Sequence, residues 1–353
     1  MPRTLRLTIL AACALTFVVG VATVGLLARS PAAGTTAHRS RTATSTTRAS
    51  ALATGTRTAP DPVSAVAAPT PPFAVGVTHV SYTDPSRGTA ARGDTPPSDT
   101  RTIDVTIRYP VPGDPGADEA ADVTAQAGSF PLVVFAHGFA VSAETYAVLE
   151  DQLASAGFVV AAPDFPLTSS ALPGPAVEDD VANQAADVSF VISQLLDEQQ
   201  VPAVLAGSIS PTDVGVIGHS DGGVTMAAVA FDANVADPRV QAAVILSGAQ
   251  ADYGGSWFST TSPALLAVHG TDDAVNPYES SQSLFDQATG PKMLVAVNGG
   301  SHLGPFTTDA VEPEVAAVIA AFLRVHLEAD PTAAAQIDAL ANATGSLTVR
   351  GEG

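Results

Sequence analysis

An apolar run, Val214-Gly215-Val216-Ile217, leads straight into Gly218-His219-Ser220-Asp221-Gly222, a serine held between two glycines. A serine hydroxyl at neutral pH is a weak nucleophile. It attacks a carbonyl only when a base takes its proton and an acid orients that base. Where a strand–turn–helix elbow carries the nucleophile, the acid and then the base follow it along the chain. Three histidines lie downstream: His269, His302 and His326. His326 falls inside a predicted helix, and His269 ends an apolar strand (LLAVHG), ahead of any suitable acid. His302 follows Asn298-Gly299-Gly300-Ser301, a loop directly after the last predicted strand, and is the expected base. The acid falls in the preceding strand-end loop, where Asp272 and Asp273 are neighbours. Successive side chains diverge, so only one of the two can face His302.

These residue types support acyl transfer through a covalent acyl-serine, whose tetrahedral intermediates need N–H donors for the oxyanion. The amide of Asp221, directly after the nucleophile, is one expected donor. The other is expected from the loop after 131–136 (PLVVFA), where His137-Gly138-Phe139 places the Phe139 amide, with His137 holding the loop by hydrogen bonds. No group of His, Cys, Asp and Glu has metal-ligand spacing, and neither a dinucleotide fingerprint nor a phosphate-binding loop occurs. No metal and no cofactor are expected.

A nucleophile of this kind must be presented by a strand running into a helix, and the surrounding sequence predicts such a scaffold. Strand character with period two covers 75–82 and 102–109, where Ile103, Val105 and Ile107 alternate with Asp104, Thr106 and Arg108. Short continuous apolar runs at 131–136, 158–162, 214–217, 240–246, 264–268 and 293–297 read as strands buried on both faces. Helices are predicted over 143–156, 177–199, 222–231, 278–287 and 311–326. Apolar strands alternating with helices predict an α/β fold: a mostly parallel central sheet flanked by helices.

Charge and composition separate the ends of the chain from this scaffold. Of 353 residues, the first 57 hold seven Arg and no acid, so eight basic side chains face all 35 acidic ones beyond. A domain that acidic, with Lys292 as its one lysine, argues against nucleic acid and anionic membrane surfaces as partners. Arg3 and Arg6 precede an uncharged apolar run of 22 residues, 7–28, long enough for a secretion signal or a single membrane anchor. Residues 29–72 are almost entirely Ala, Thr, Ser, Pro and Arg and read as a disordered linker. The sole cysteine, Cys13, leaves the folded part without a disulfide. The expected organisation is an export segment at 1–28, a linker at 29–72, a catalytic domain at 73–330 and a C-terminal tail at 331–353. The expected location is secreted or extracytoplasmic, and the expected state a monomer.

The blocks PLVVFAHGF, LASAGFVVAAPDFP, VGVIGHSDGG, HGTDDAVNP and VNGGSHLGPF resemble the α/β-hydrolase superfamily. They are most similar to its secreted, lidless branch of cutinase-like polyester hydrolases, platelet-activating-factor-acetylhydrolase-like lipases and chlorophyllase- or dienelactone-hydrolase-like proteins. The resemblance covers about residues 75–327 and implies a serine ester hydrolase whose triad is Ser220, His302 and an acid four residues before the loop proline, which is Asp273. It also puts a substrate-contacting aromatic on Tyr253, with Trp257 and Phe258 nearby. Asp221 departs from the pattern, since relatives often carry Met, Phe, Gln or Arg after the nucleophile.

The connections 164–180 and 248–263 are too short for a helical cap, which predicts an open cleft for a small-molecule, lipid or polymer ester. Tyr253 and Trp257 either wall an apolar groove there or pack against the domain. Two other functions use the same residues. An acyltransferase would pass the acyl group to an alcohol, and a cell-surface binding protein would keep the scaffold without catalysis.

Overall fold

The structure, a computed structural model, describes residues 71–258 and 262–352. The expected export segment, and all but the last two residues of the expected linker, lie outside them. Chain order begins with a long antiparallel pair, β1 (Ala74–Asp84) and β2 (Arg101–Val111), in register from Ala74 opposite Val111 to Asp84 opposite Arg101. A two-residue β3 (Ala120–Ala121) follows, then β4 (Phe130–Ala136), α1 (Ala147–Ser155), β5 (Val159–Asp164), α2 (Val181–Leu196), β6 (Ile209–His219) and α3 (Asp221–Phe231). Next come β7 (Val240–Leu246), β8 (Ala264–Gly270), α4 (Glu279–Gln287), β9 (Lys292–Val297), α5 (Glu312–Leu327), α6 (Ala333–Ala343) and β10 (Leu347–Glu352).

The ten strands form one sheet in the order β10-β9-β8-β7-β6-β4-β5-β2-β1-β3. The six central strands, β5, β4, β6, β7, β8 and β9, are mutually parallel, while β2 and β10 join antiparallel at either side. Parallel strands are buried on both faces, and β4 shows the consequence residue by residue. Leu132, Val134 and Ala136 enter the apolar layer shared with α2 and α3, whereas Val133 and Phe135 enter the layer shared with α1, α5 and α6.

Strand order reverses at β4, which pairs with β5 on one side and β6 on the other. In open sheets of this kind, the crevice outside the carboxyl ends at such a reversal is where ligands bind. Here those ends carry His137-Gly138-Phe139 and His219-Ser220-Asp221.

Two expectations change. The segment 331–353 is not a tail outside the domain, because α6 packs against α5 and β10 extends the sheet beside β9, from Leu347 opposite Val297 onward. Its Ala- and Thr-rich composition resembles a linker, but Ala333, Ile337 and Leu347 are buried and close one apolar layer. The predicted strand at 214–217 begins five residues earlier, because the polar stretch Ser210–Asp213 also lies in β6.

A buried ion network fixes the front of α2. Arg101 is 1% exposed and places its guanidinium in a fork between Asp187 (2.6 and 2.7 Å) and Asp180 (2.7 and 3.1 Å). Arg87 bridges Asp187 at 2.8 Å and Asp84 at 2.7 Å. Buried charges are costly unless paired, and this pairing ties Asp180 and Asp187 to Arg101 at the start of β2.

Candidate active site

Ser220 sits at the β6–α3 junction with φ 55° and ψ −120°, a backbone state that costs a non-glycine residue about 1–3 kcal/mol. The glycines around it are demanded by close approach. A Cβ on Gly218 would lie 2.1 Å from the Gly222 carbonyl oxygen, and one on Gly222 would lie 2.2 Å from that of Ala136. Only glycines let β6, β4 and α3 converge so tightly. Their convergence holds the strained turn and turns the serine side chain out of the strand.

His302 Nε2 stands 3.0 Å from Ser220 Oγ, and His302 Nδ1 stands 2.7 Å from Asp273 Oδ2. The other Asp273 oxygen accepts the amides of Val275 (2.8 Å) and Asn276 (2.9 Å). Burial works against this carboxylate, but hydrogen bonds from His269 and His302 and the nearby imidazole charge outweigh it. They hold its pKa well below the usual carboxylate range. Its neighbour Asp272 is exposed, and its amide donates to the Gly300 carbonyl at 2.9 Å. The turns at 270–273 and 298–302 are pressed together there, since a Cβ on Gly270 would fall 2.2 Å from the Gly300 carbonyl oxygen. That contact decides which aspartate faces the imidazole.

Three side chains that sequence reasoning did not bring to the site complete its frame. His269 is fully buried, with Nε2 3.0 Å from the Asn276 carbonyl and 3.1 Å from Asp273 Oδ2. A carbonyl can only accept, so Nε2 carries the proton and Nδ1 accepts from Ser281 Oγ at 2.7 Å. The same logic assigns His219. Its Nε2 donates to the His302 carbonyl at 2.8 Å, and its Nδ1 accepts from Tyr146 Oη at 2.7 Å. Burial and the neighbouring His302 depress the His219 pKa to about 3, so this imidazole stays neutral. Tyr146 Oη in turn accepts from the Gly138 amide at 3.3 Å. One hydroxyl thus ties the loop after β4 to the elbow, and through His219 to the His302 loop. Residues 73 and 83 positions apart leave no local sequence signal for such a link.

The loop after β4 lies directly on the elbow: a Cβ on Gly138 would be 3.2 Å from Ser220 Cβ. His137 is buried, donates from Nδ1 to the Gly138 carbonyl at 2.7 Å and accepts from the Phe165 amide at 3.1 Å. Among the described residues, neither the Phe139 amide nor the Asp221 amide donates to a protein group. Two free N–H groups flank a serine hydroxyl, which suits an incoming carbonyl oxygen.

The two aromatic candidates are placed differently. Tyr253 is 8% exposed, packs into the layer of α2 and α3, and donates its hydroxyl to the Val181 carbonyl at 3.3 Å. Trp257 pairs with Asp232, and the following Phe258 amide donates to the Phe231 carbonyl at 3.0 Å. That is the far end of the eleven-residue α3, about 15 Å from Ser220 at 1.5 Å per residue. Trp257 thus packs against the end of α3 away from Ser220. The aromatic cluster with Phe231 and Phe258 holds it there. Among the described residues no group of three or more His, Cys, Asp or Glu is arranged to hold a metal ion.

A family model described as chlorophyllase matches residues 117–270, a span that includes Ser220 and stops short of Asp273 and His302. The chain is 34% identical over 107 residues to chlorophyllase-1, chloroplastic, of Citrus unshiu, and 34% identical over 104 residues to that of Citrus sinensis. It spans 30% of the length of each of these curated relatives. Among solved structures it is similar to a ferulic acid esterase from Streptomyces cinnamoneus, with a TM-score of 0.63 and 23% identity. That alignment covers 80% of this chain and 98% of the esterase. A sheet reversing at β4 and a serine elbow at β6, together with the likeness to the esterase structure, give the chain an α/β-hydrolase fold.

Proposed function

We propose that the chain is an exported serine ester hydrolase. What carries this reading is the unbroken hydrogen-bond line from Asp273 through His302 to Ser220 Oγ, ending beside two undonated amides. Ser220 Oγ attacks the ester carbonyl while His302 Nε2 takes its proton. Asp273 holds Nδ1–H and stabilises the imidazolium. The amides of Phe139 and Asp221 receive the oxyanion, and each such donor is worth about 2.7–4 kcal/mol in a comparable acyl-transfer site. His302 then protonates the departing alcohol, and a water activated by the same imidazole releases the acid. Chlorophyllases and a ferulic acid esterase as relatives favour a carboxylic ester as the substrate. Export rests on the apolar run at 7–28 behind Arg3 and Arg6.

The discriminating assay offers p-nitrophenyl butyrate with and without a primary alcohol. Butyrate as the dominant product in both is the expected result. Butyryl ester as the dominant product would make the chain a transferase, and no nitrophenol release would remove the enzyme reading altogether.

The link through Tyr146 gives a second expectation. Tyr146→Phe keeps the ring against Phe135 and His219 but removes the hydroxyl shared by Gly138 and His219. Loosening both loops by a fraction of an ångström is expected to lower kcat about ten- to hundredfold. Steady-state kinetics read the loss, and circular dichroism should show the fold intact.

A further inference from the structure

Asp221 brings a buried, unpartnered carboxylate oxygen to this site. The residue is 9% exposed, and its Oδ2 is buried with no hydrogen bond. Burial and the charge of Glu178 raise its pKa to about 6, opposed by His302, so near neutral pH it is largely ionised. The titratable groups that act on it electrostatically come from three loops: Glu178 ahead of α2, Tyr253 after β7 and His302 after β9. Glu178 is exposed and forms no ion pair among the described residues.

The arginines on the same side of the domain are committed elsewhere. Arg101 is held by Asp180 and Asp187. Arg92 donates to the carbonyls of Pro166, Ser169, Gly174 and Pro175. These bonds also fix the loop that leads to Glu178.

An unneutralised carboxylate beside the nucleophile is a burden on both fold and reaction. Burying one unpaired is unfavourable, and the oxyanion forming at the Asp221 amide is repelled by the same residue's side chain. A ligand that brings a positive charge relieves both. We infer that Asp221 is a specificity-determining residue that favours esters carrying an ammonium group close to the scissile carbonyl. This rests on Ser220 acting as the nucleophile of an ester hydrolase.

Two isosteric pairs of substrates test it. Acetylcholine against 3,3-dimethylbutyl acetate places the charge on the alcohol. Betaine methyl ester against methyl 3,3-dimethylbutanoate places it on the acyl group. The wild-type chain should prefer the cationic member of at least one pair by about tenfold or more in kcat/KM. Asp221→Asn should erase most of that preference and raise kcat/KM for the neutral member. Glu178→Gln, at an exposed position, should shift the ratio the same way by a smaller factor, and it carries the test if Asp221→Asn fails to fold. Ratios unchanged within twofold in the variants overturn the inference, as does a wild-type chain that cleaves p-nitrophenyl butyrate without preferring either cation. Loss of p-nitrophenyl butyrate cleavage as well would strike at the ester-hydrolase reading beneath it.

Discussion

Ser220→Ala is expected to lower kcat for p-nitrophenyl butyrate by about six orders of magnitude, leaving only what oxyanion binding provides. The size of the effect follows from removing the attacking atom: with Oγ gone, His302 has no hydroxyl to deprotonate and no acyl-enzyme forms. The fold should survive, and thermal unfolding separates that case from collapse. Ser220 occupies a strained turn with φ 55°, and alanine meets the same strain there, so stability should move little. Residual activity within a hundredfold of wild type would mean that Ser220 is not the nucleophile.

Asp273→Asn should be the next largest loss, about 10⁴-fold in kcat, because an amide opposite Nδ1 no longer enforces the imidazole tautomer that leaves Nε2 free to accept. Asp272→Asn should stay within about twofold, since Asp272 is exposed and contributes only its backbone amide to the Gly300 turn. The two substitutions, one residue apart, make a matched comparison by steady-state kinetics. Asp273 carries a second expectation, in stability. Its folded-state pKa lies below the unfolded value, so its ionised form stabilises the fold above about pH 4, and that contribution fades as the pH falls. Asp273→Asn should therefore flatten the acid side of the stability profile. Equal kinetic losses at both positions would show that the turn, and not the carboxylate, is what matters.

The parts legible in the sequence are those written locally. The apolar runs of β4, β6, β7, β8 and β9 stand out because a doubly buried strand needs no polar alternation. Gly218, Ser220 and Gly222 stand out because three chain segments converge where no Cβ fits. His302 is legible from its place after the last parallel strand. Other features depend on distant partners. The choice between Asp272 and Asp273 is made by Gly270 meeting Gly300, thirty residues on. His219 reads as filler in the elbow motif until Tyr146 and the His302 carbonyl are seen on its two nitrogens. Trp257 and Tyr253 stay ambiguous in sequence because a loop aromatic looks the same whether it lines a groove or packs under a helix. The C-terminal helix and strand are hidden by their small residues, which bury as readily as they dangle.

The most direct test of the account is covalent. A fluorophosphonate should lose fluoride to Ser220 Oγ and leave one adduct per chain on the peptide containing Ser220, read by intact-mass and peptide mass spectrometry. His302→Ala should slow the labelling severely, and Ser220→Ala should prevent it. An unlabelled wild-type chain, or a stoichiometric adduct on any other residue, would contradict the assignment of Ser220 as an activated nucleophile.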